Sequence, residues 1–250
     1  MVDTHCHLDF CEPPDAELLE RARAAGVRRV AAVGVDGPSI QRALAAANAH
    51  PDVTAIVGRH PHETTGFGQA DLEEIERAAA EPVARAIGET GLDYYRDHAP
   101  RDDQRRAFAA QLELAARLRL PVAIHTRAAE DETFALLREH AHDLPAVILH
   151  CFSAPDRLDE CVERGYLCSF AGNVTYPKAT DLQDAARRVP EGLLLVETDA
   201  PYLAPQPLRG KPNEPAHVTH TARRVAELRG VSYEELERAV EANASRVFGW

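Results

Sequence analysis

The sequence predicts an α/β protein built as a closed ring of strand-helix units, and three observations predict it. Short β-branched or apolar runs alternate with longer amphipathic segments along the whole chain, and eight such runs can be counted. The runs are continuously apolar rather than alternating, as strands buried on both faces require. A length of 250 residues holds eight units as one sheet. Together these give a single-domain (β/α)8 TIM barrel spanning residues 1–250, with no linker, low-complexity tract or internal repeat.

Taken in order, the first run, Val2–Leu8, places His5 and His7 two residues apart. On an extended segment such residues point the same way, so both imidazoles can grip one cation. Cys6 between them turns away, as does Cys151 beside His150, and both read as small core residues. The second and third runs are Val27–Val35 and Val53–His60, the latter ending in His60-Pro61-His62. The fourth, Val83–Leu92, carries Glu89 near its end. The fifth, Pro121–Arg127, carries His125 and, two residues on and hence on the same face, Arg127. The sixth, Ala146–Phe152, carries His150; the seventh is Tyr166–Gly172; the eighth, Leu193–Asp199, ends in Asp199. Between them, Arg101–Arg119 shows a helical stripe of Phe108, Leu112 and Ala115. Ser232-Tyr-Glu-Glu235 is a capping box opening a last helix whose face is Leu236, Val240 and Val247. The irregular stretch Pro201 to Pro215 holds five prolines and follows the eighth strand.

Composition narrows the function. Apolar residues make up 45% and charged residues 27%, as in an ordinary globular chain. No run is long and apolar enough for a membrane span, and the start of the chain has no basic-then-apolar leader, so a cytoplasmic protein with no membrane partner is expected. Five cysteines without C-x-x-C spacing argue against a disulfide framework. A net charge of −12 excludes binding of nucleic acid by a broad basic surface. A polyanionic substrate would have to be met locally, by cations and a few placed arginines.

In this fold the C-terminal ends of the strands face the active site. The strand ends contribute four imidazoles and two carboxylates, His5, His7, His125, His150, Glu89 and Asp199. That exceeds one ion's need and suits two divalent ions bridged by a carboxylate, with Mg2+, Mn2+ or Zn2+ all compatible. Arg127, and Arg209 and Lys211 on the proline-rich loop, are placed to hold phosphate. His60 and His62 are candidates for substrate contact or proton donation, and Tyr94, Tyr95 and Tyr202 for base stacking. Asp3 and Glu197 lie one step deeper than His5 and Asp199 and are expected to orient the metal-binding histidines, the alternative being bonds to backbone or hydroxyl groups.

The motifs Asp3-Thr-His-Cys-His-Leu-Asp9, Gly88-Glu-Thr-Gly-Leu-Asp-Tyr-Tyr95, Ile124-His-Thr-Arg127, Leu149-His-Cys-Phe-Ser153, Glu197-Thr-Asp-Ala-Pro-Tyr-Leu203 and Arg209-Gly-Lys211 resemble, in this order and end to end, the TatD-type metal-dependent deoxyribonucleases of the amidohydrolase superfamily. The resemblance implies a DNA phosphodiesterase, acting on single strands or ends, with His5, His7, Glu89 and Asp199 on one ion and Glu89, His125 and His150 on the other. Superfamily members that bridge their ions with a modified lysine are not matched, because Lys178 and Lys211 are the only lysines and neither ends a ligand-bearing strand. Glu89 is then the expected bridge, and Asp199 both ligand and acceptor of the proton of a water made acidic by the ions. Arg59 and Pro212 depart from the family pattern, in loops expected to contact substrate. Two rival readings remain: an amide, ester or lactone hydrolase or D-aminoacyl-tRNA deacylase on the same site, and a non-catalytic scaffold. No obligate protein partner is evident.

Overall fold

The computed structural model describes all 250 residues, Met1–Trp250. Eight strands occur in the predicted order: β1 (Val2–Cys6), β2 (Arg29–Gly34), β3 (Val53–Val57), β4 (Ala84–Asp93), β5 (Val122–Arg127), β6 (Val147–Leu149), β7 (Leu167–Phe170) and β8 (Leu194–Val196). They form one eight-stranded sheet in the order β1 to β8. A parallel bridge between Cys6 and Ala200 and the bond from His7 N–H to Ala200 O, 2.8 Å, join the chain just after β8 back to β1, so the fold class is the (β/α)8 barrel. The helices are α1 (Asp15–Ala24), α2 (Gly37–Ala49), α3 (Gln69–Ala79), α4 (Arg101–Leu118), α5 (Glu130–His140), α6 (Leu158–Arg164), α7 (Thr180–Arg188), α8 (Val218–Arg229) and α9 (Tyr233–Phe248). No helix is long and apolar enough to cross a membrane.

The chain divides into two compact units, Met1–Ala32 with His150–Trp250, and Val33–Leu149. In the first, β1 pairs β2 and β7 pairs β8, all parallel. Its last helix, α9, starts where the sequence predicts: Ser232 Oγ accepts from Glu235 N–H and the Glu235 carboxylate accepts from Ser232 N–H. Leu236 and Val240 are buried on one face of α9. In the second unit, β3, β4, β5 and β6 pair in parallel, and the register Gly91↔His125 and Asp93↔Arg127 fixes which side chains of β4 and β5 are neighbours. Helix α4 buries Phe108, Leu112 and Ala115 as expected, but also Gln104 and Gln111 on the same face.

Most strands are shorter than the sequence suggests. His7, His60, His150 and Asp199 all lie beyond the last strand residue, in short turns, so strand alternation does not orient them. Asp199 and Cys151 have left-handed backbones, with φ 55 and φ 42. Cys6 is buried, whereas Cys151 is only half-buried, beside the Asn173 amide, and is not a core residue. All five cysteines are free thiols.

Candidate metal centre

In the first unit, His5 lies in β1 with its ring 5.1 Å from that of His7, and His150 stacks on His5 at 3.6 Å. Asp199 N–H donates to His5 O (3.0 Å), which brings the Asp199 carboxylate to 3.5 Å from His7 Nε2. The donor atoms of His5, His7 and Asp199 all lie within 4.8 Å of one another. Burial opposes ionisation of Asp199, but the hydrogen bond from His7 and the nearby charges of His150, His7 and His5 outweigh it, so its pKa falls below the usual carboxylate value.

Behind this cluster stand two buried acids with different partners. Glu197 Oε1 meets His150 Nδ1 at 2.8 Å and accepts the Cys151 N–H at 2.6 Å. Asp3, expected to orient an imidazole, instead accepts from Thr198 N–H (2.8 Å), Thr198 Oγ1 (2.6 Å) and the backbone N–H of His5 (3.4 Å). It fixes the turn between β8 and Asp199 rather than a ring. Burial pushes the Asp3 carboxyl up to about 8, against the lowering effect of the Thr198 bonds.

In the second unit, Glu89 on β4 is buried, with Oε1 2.7 Å from His125 Nδ1 and 3.4 Å from His60 Nε2. The donor atoms of His60, Glu89 and His125 also lie within 4.8 Å of one another, which brings His60 among the donors rather than only at their edge. Burial pushes the His60 imidazole down to about 4, only partly offset by Glu89, so it is neutral near pH 7, as a ligand must be.

Asp93, quoted in the sequence motif without a role, organises the far side of His125. Its Oδ2 lies 3.2 Å from His125 Nε2 and 2.9 Å from His62 Nε2, while Oδ1 accepts from Tyr95 N–H (3.0 Å) and Arg96 N–H (2.8 Å). Burial alone would raise its pKa; the bonds from His125, Arg96 N–H and His62 instead hold it well below the usual range. A carboxylate that accepts the hydrogen bond of Nε2–H leaves Nδ1 of His125 as the lone-pair nitrogen, facing Glu89. Gly91 is required here, because a Cβ would sit 1.9 Å from His125 O, with φ +141 besides.

Sequence reading missed this support because it comes from distant helices and loops. Gln104 Oε1 accepts from Asp93 N–H, Gln111 bonds both N–H and O of Arg59, and Asn213 donates to Thr198 O and Tyr202 O, pinning the proline-rich loop. The one available signal was glutamine at positions 104 and 111 on an otherwise apolar helix face. Arg59, expected in a substrate loop, is buried and paired with Asp71 (3.0 Å) and Glu74 (2.6 Å). Arg127, Arg209, Lys211 and Tyr202 are exposed, with Arg209 4.5 Å over Tyr176 and Tyr202 6.1 Å from the His7 ring.

The donor set fits a divalent cation. It offers imidazole nitrogen and carboxylate oxygen without thiolate, with Asp199 held ionised and His60 held neutral.

The TatD related DNase family matches residues 2–249. The chain is 41% identical over 260 residues to the metal-dependent hydrolase TatD of Mycobacterium tuberculosis, covering 100% of this chain and 98% of that protein. It is 37% identical over 239 residues to the 3'-5' ssDNA/RNA exonuclease TatD of Klebsiella pneumoniae, covering 93% and 91%. It is also similar to the crystal structure of YJJV, a TATD homolog from Escherichia coli K12, with a TM-score of 0.93, 31% identity and coverage of 100% and 98%. Matched in sequence and fold along essentially its whole length, the chain belongs to the TatD related DNase family and is a metal-dependent hydrolase.

Proposed function

We propose that this protein is a deoxyribonuclease that hydrolyses phosphodiester bonds of single-stranded DNA, using two divalent ions per chain and working in the cytoplasm. The observation that carries the reading is a cluster of imidazole and carboxylate donors at strand ends in each unit, His5–His7–Asp199 and His60–Glu89–His125. His150, stacked on His5 and held by Glu197, adds a further donor. The exonuclease name of the Klebsiella pneumoniae relative supports a single-stranded nucleic acid as substrate.

When bound, the ions supply acidification of water and neutralisation of phosphate charge. The protein's own groups do the rest. Asp199, kept ionised by the surrounding imidazoles, accepts the proton of the attacking water. Glu89 and Asp199 hold charge opposite the cations. Arg127, Arg209 and Lys211 hold non-reacting phosphates, Tyr202 offers a base-stacking face, and His62, tied to Asp93, contacts the substrate.

The test is cleavage of a labelled single-stranded oligonucleotide with added Mg2+, Mn2+ or Zn2+, comparing the native chain with Glu89→Gln and Asp199→Asn. Cleavage by the native chain, abolished by chelator and reduced on the order of 100-fold or more in both variants, is expected. Cleavage persisting in both variants, or turnover of simple carboxylic esters in place of DNA, would overturn the proposal.

A further inference from the structure

The loop after β4 and the start of α4 carry four arginines, Arg96, Arg101, Arg105 and Arg106, and three of them are neutralised locally: Arg101 by Asp97, Arg105 by Asp102 and Glu132, and Arg106 by Asp103. Arg96 has no acid partner, and neither has Arg127 at the end of β5. Both instead lie against the ring of Tyr95, at 5.7 Å and 4.1 Å from its centroid. Tyr95 is 64% exposed, the most exposed large apolar side chain of the protein. Its neighbour Tyr94 is not comparable, because its hydroxyl donates to Glu132 (2.6 Å) and Arg101 covers its ring at 4.2 Å. In a protein of net charge −12, two guanidinium groups without an acid partner gathered on an open aromatic ring make a local cationic and aromatic patch.

The backbone holds this group against the His60–Glu89–His125 cluster. Tyr94 N–H donates to Arg127 O (2.9 Å), and Asp93 accepts the N–H groups of Tyr95 and Arg96 with one oxygen while the other meets His125 and His62. One carboxylate therefore sets both a candidate ligand and the aromatic shelf.

We infer that Tyr95, Arg96 and Arg127 form a subsite for one unpaired nucleotide of a single strand, the base stacking on the open face of Tyr95 and a phosphate meeting the two guanidinium groups. This rests on the nuclease reading and adds to it the residues that select single strands. A paired base lies within its own stack and cannot present a face to the ring, whereas a single-stranded base can.

The test measures binding rather than cleavage. Fluorescence anisotropy of a labelled oligothymidylate is followed with the full chain, with and without added Mg2+, and compared with a duplex of equal length. Tyr95→Ala is expected to weaken single-strand binding roughly tenfold or more, and Tyr95→Phe, which keeps the ring, to retain it. Arg127→Ala is expected to weaken binding and to flatten its salt dependence by about one phosphate contact. Melting temperatures show whether each variant is folded. The inference is overturned if the native chain does not bind the strand, if Tyr95→Ala binds as tightly as the native chain, if Tyr95→Phe loses as much as Tyr95→Ala, or if duplex binds as well as single strand. Failure of the nuclease reading shows separately, as an intact oligonucleotide in the cleavage assay.

Discussion

His125 and His150 each meet a buried carboxylate through one ring nitrogen, Asp93 in one case and Glu197 in the other. Removing such a partner's charge frees the ring's tautomer and orientation, so Asp93→Asn and Glu197→Gln are each expected to lower divalent-ion affinity on the order of 10- to 100-fold in calorimetric titrations of chelator-treated protein. Asp3→Asn is expected to behave differently, because Asp3 binds the Thr198 backbone and hydroxyl: a loss of about 1–3 kcal/mol in urea unfolding, with ion affinity nearly unchanged. His60 gives a pH signature. Its folded pKa of about 4 lies below the ordinary histidine value of 6.5, so the unfolded chain takes up the proton first as pH falls. The stability tied to its neutral form is complete above about 6.5 and is lost as pH drops towards 4. Urea midpoints of metal-free native protein should therefore fall more steeply across that window than those of His60→Gln; parallel curves would contradict the assignment. The sequence made the donors themselves legible because each is marked by short-range position near a strand end. Asp93, six positions from its motif's start at Gly88 when both are counted, was visible as a residue but not as a partner of His62, since that contact joins segments from different strand ends.

At the scale of elements, β4, β5 and α4 act together. The pairing Gly91↔His125 lets the two backbones approach so closely that no side chain fits, and Gly91→Ala is expected to push β5 away, cutting ion binding sharply and destabilising the fold by several kcal/mol. Helix α4 fastens the same region: Gln111 bonds both backbone groups of Arg59, and Gln104 bonds both those of Asp93. Gln111→Leu leaves those Arg59 groups without these bonds inside the protein, and about 2–4 kcal/mol of lost stability is expected in denaturant unfolding. Periodicity made α4 and the α9 cap legible because both are written in contiguous residues. It misjudged strand ends after β1 and β6 because apolar residues, Leu8 and Phe152, recur just beyond the point where the strand ends, so hydrophobicity continues where pairing stops.

For the whole molecule, the strand-helix alternation made the fold class readable, since a parallel sheet in chain order needs no long-range pairing rule beyond sequence order. Charge sets the last expectation. A surface of net charge −12 repels a polyanion at long range, so binding must come from a few locally placed cations, Arg96 and Arg127 together with Arg209 and Lys211 on the proline-rich loop. Two to four single-strand phosphate contacts give a slope of log K against log salt of roughly −1.4 to −2.8. Affinity for a single strand should then fall by roughly 7- to 50-fold between 50 and 200 mM salt, far less than for a protein with a broad basic face. A much steeper slope would mean that phosphates are held by a wider set of cations. A slope near zero would mean that stacking and the ions, rather than the arginines, hold the strand.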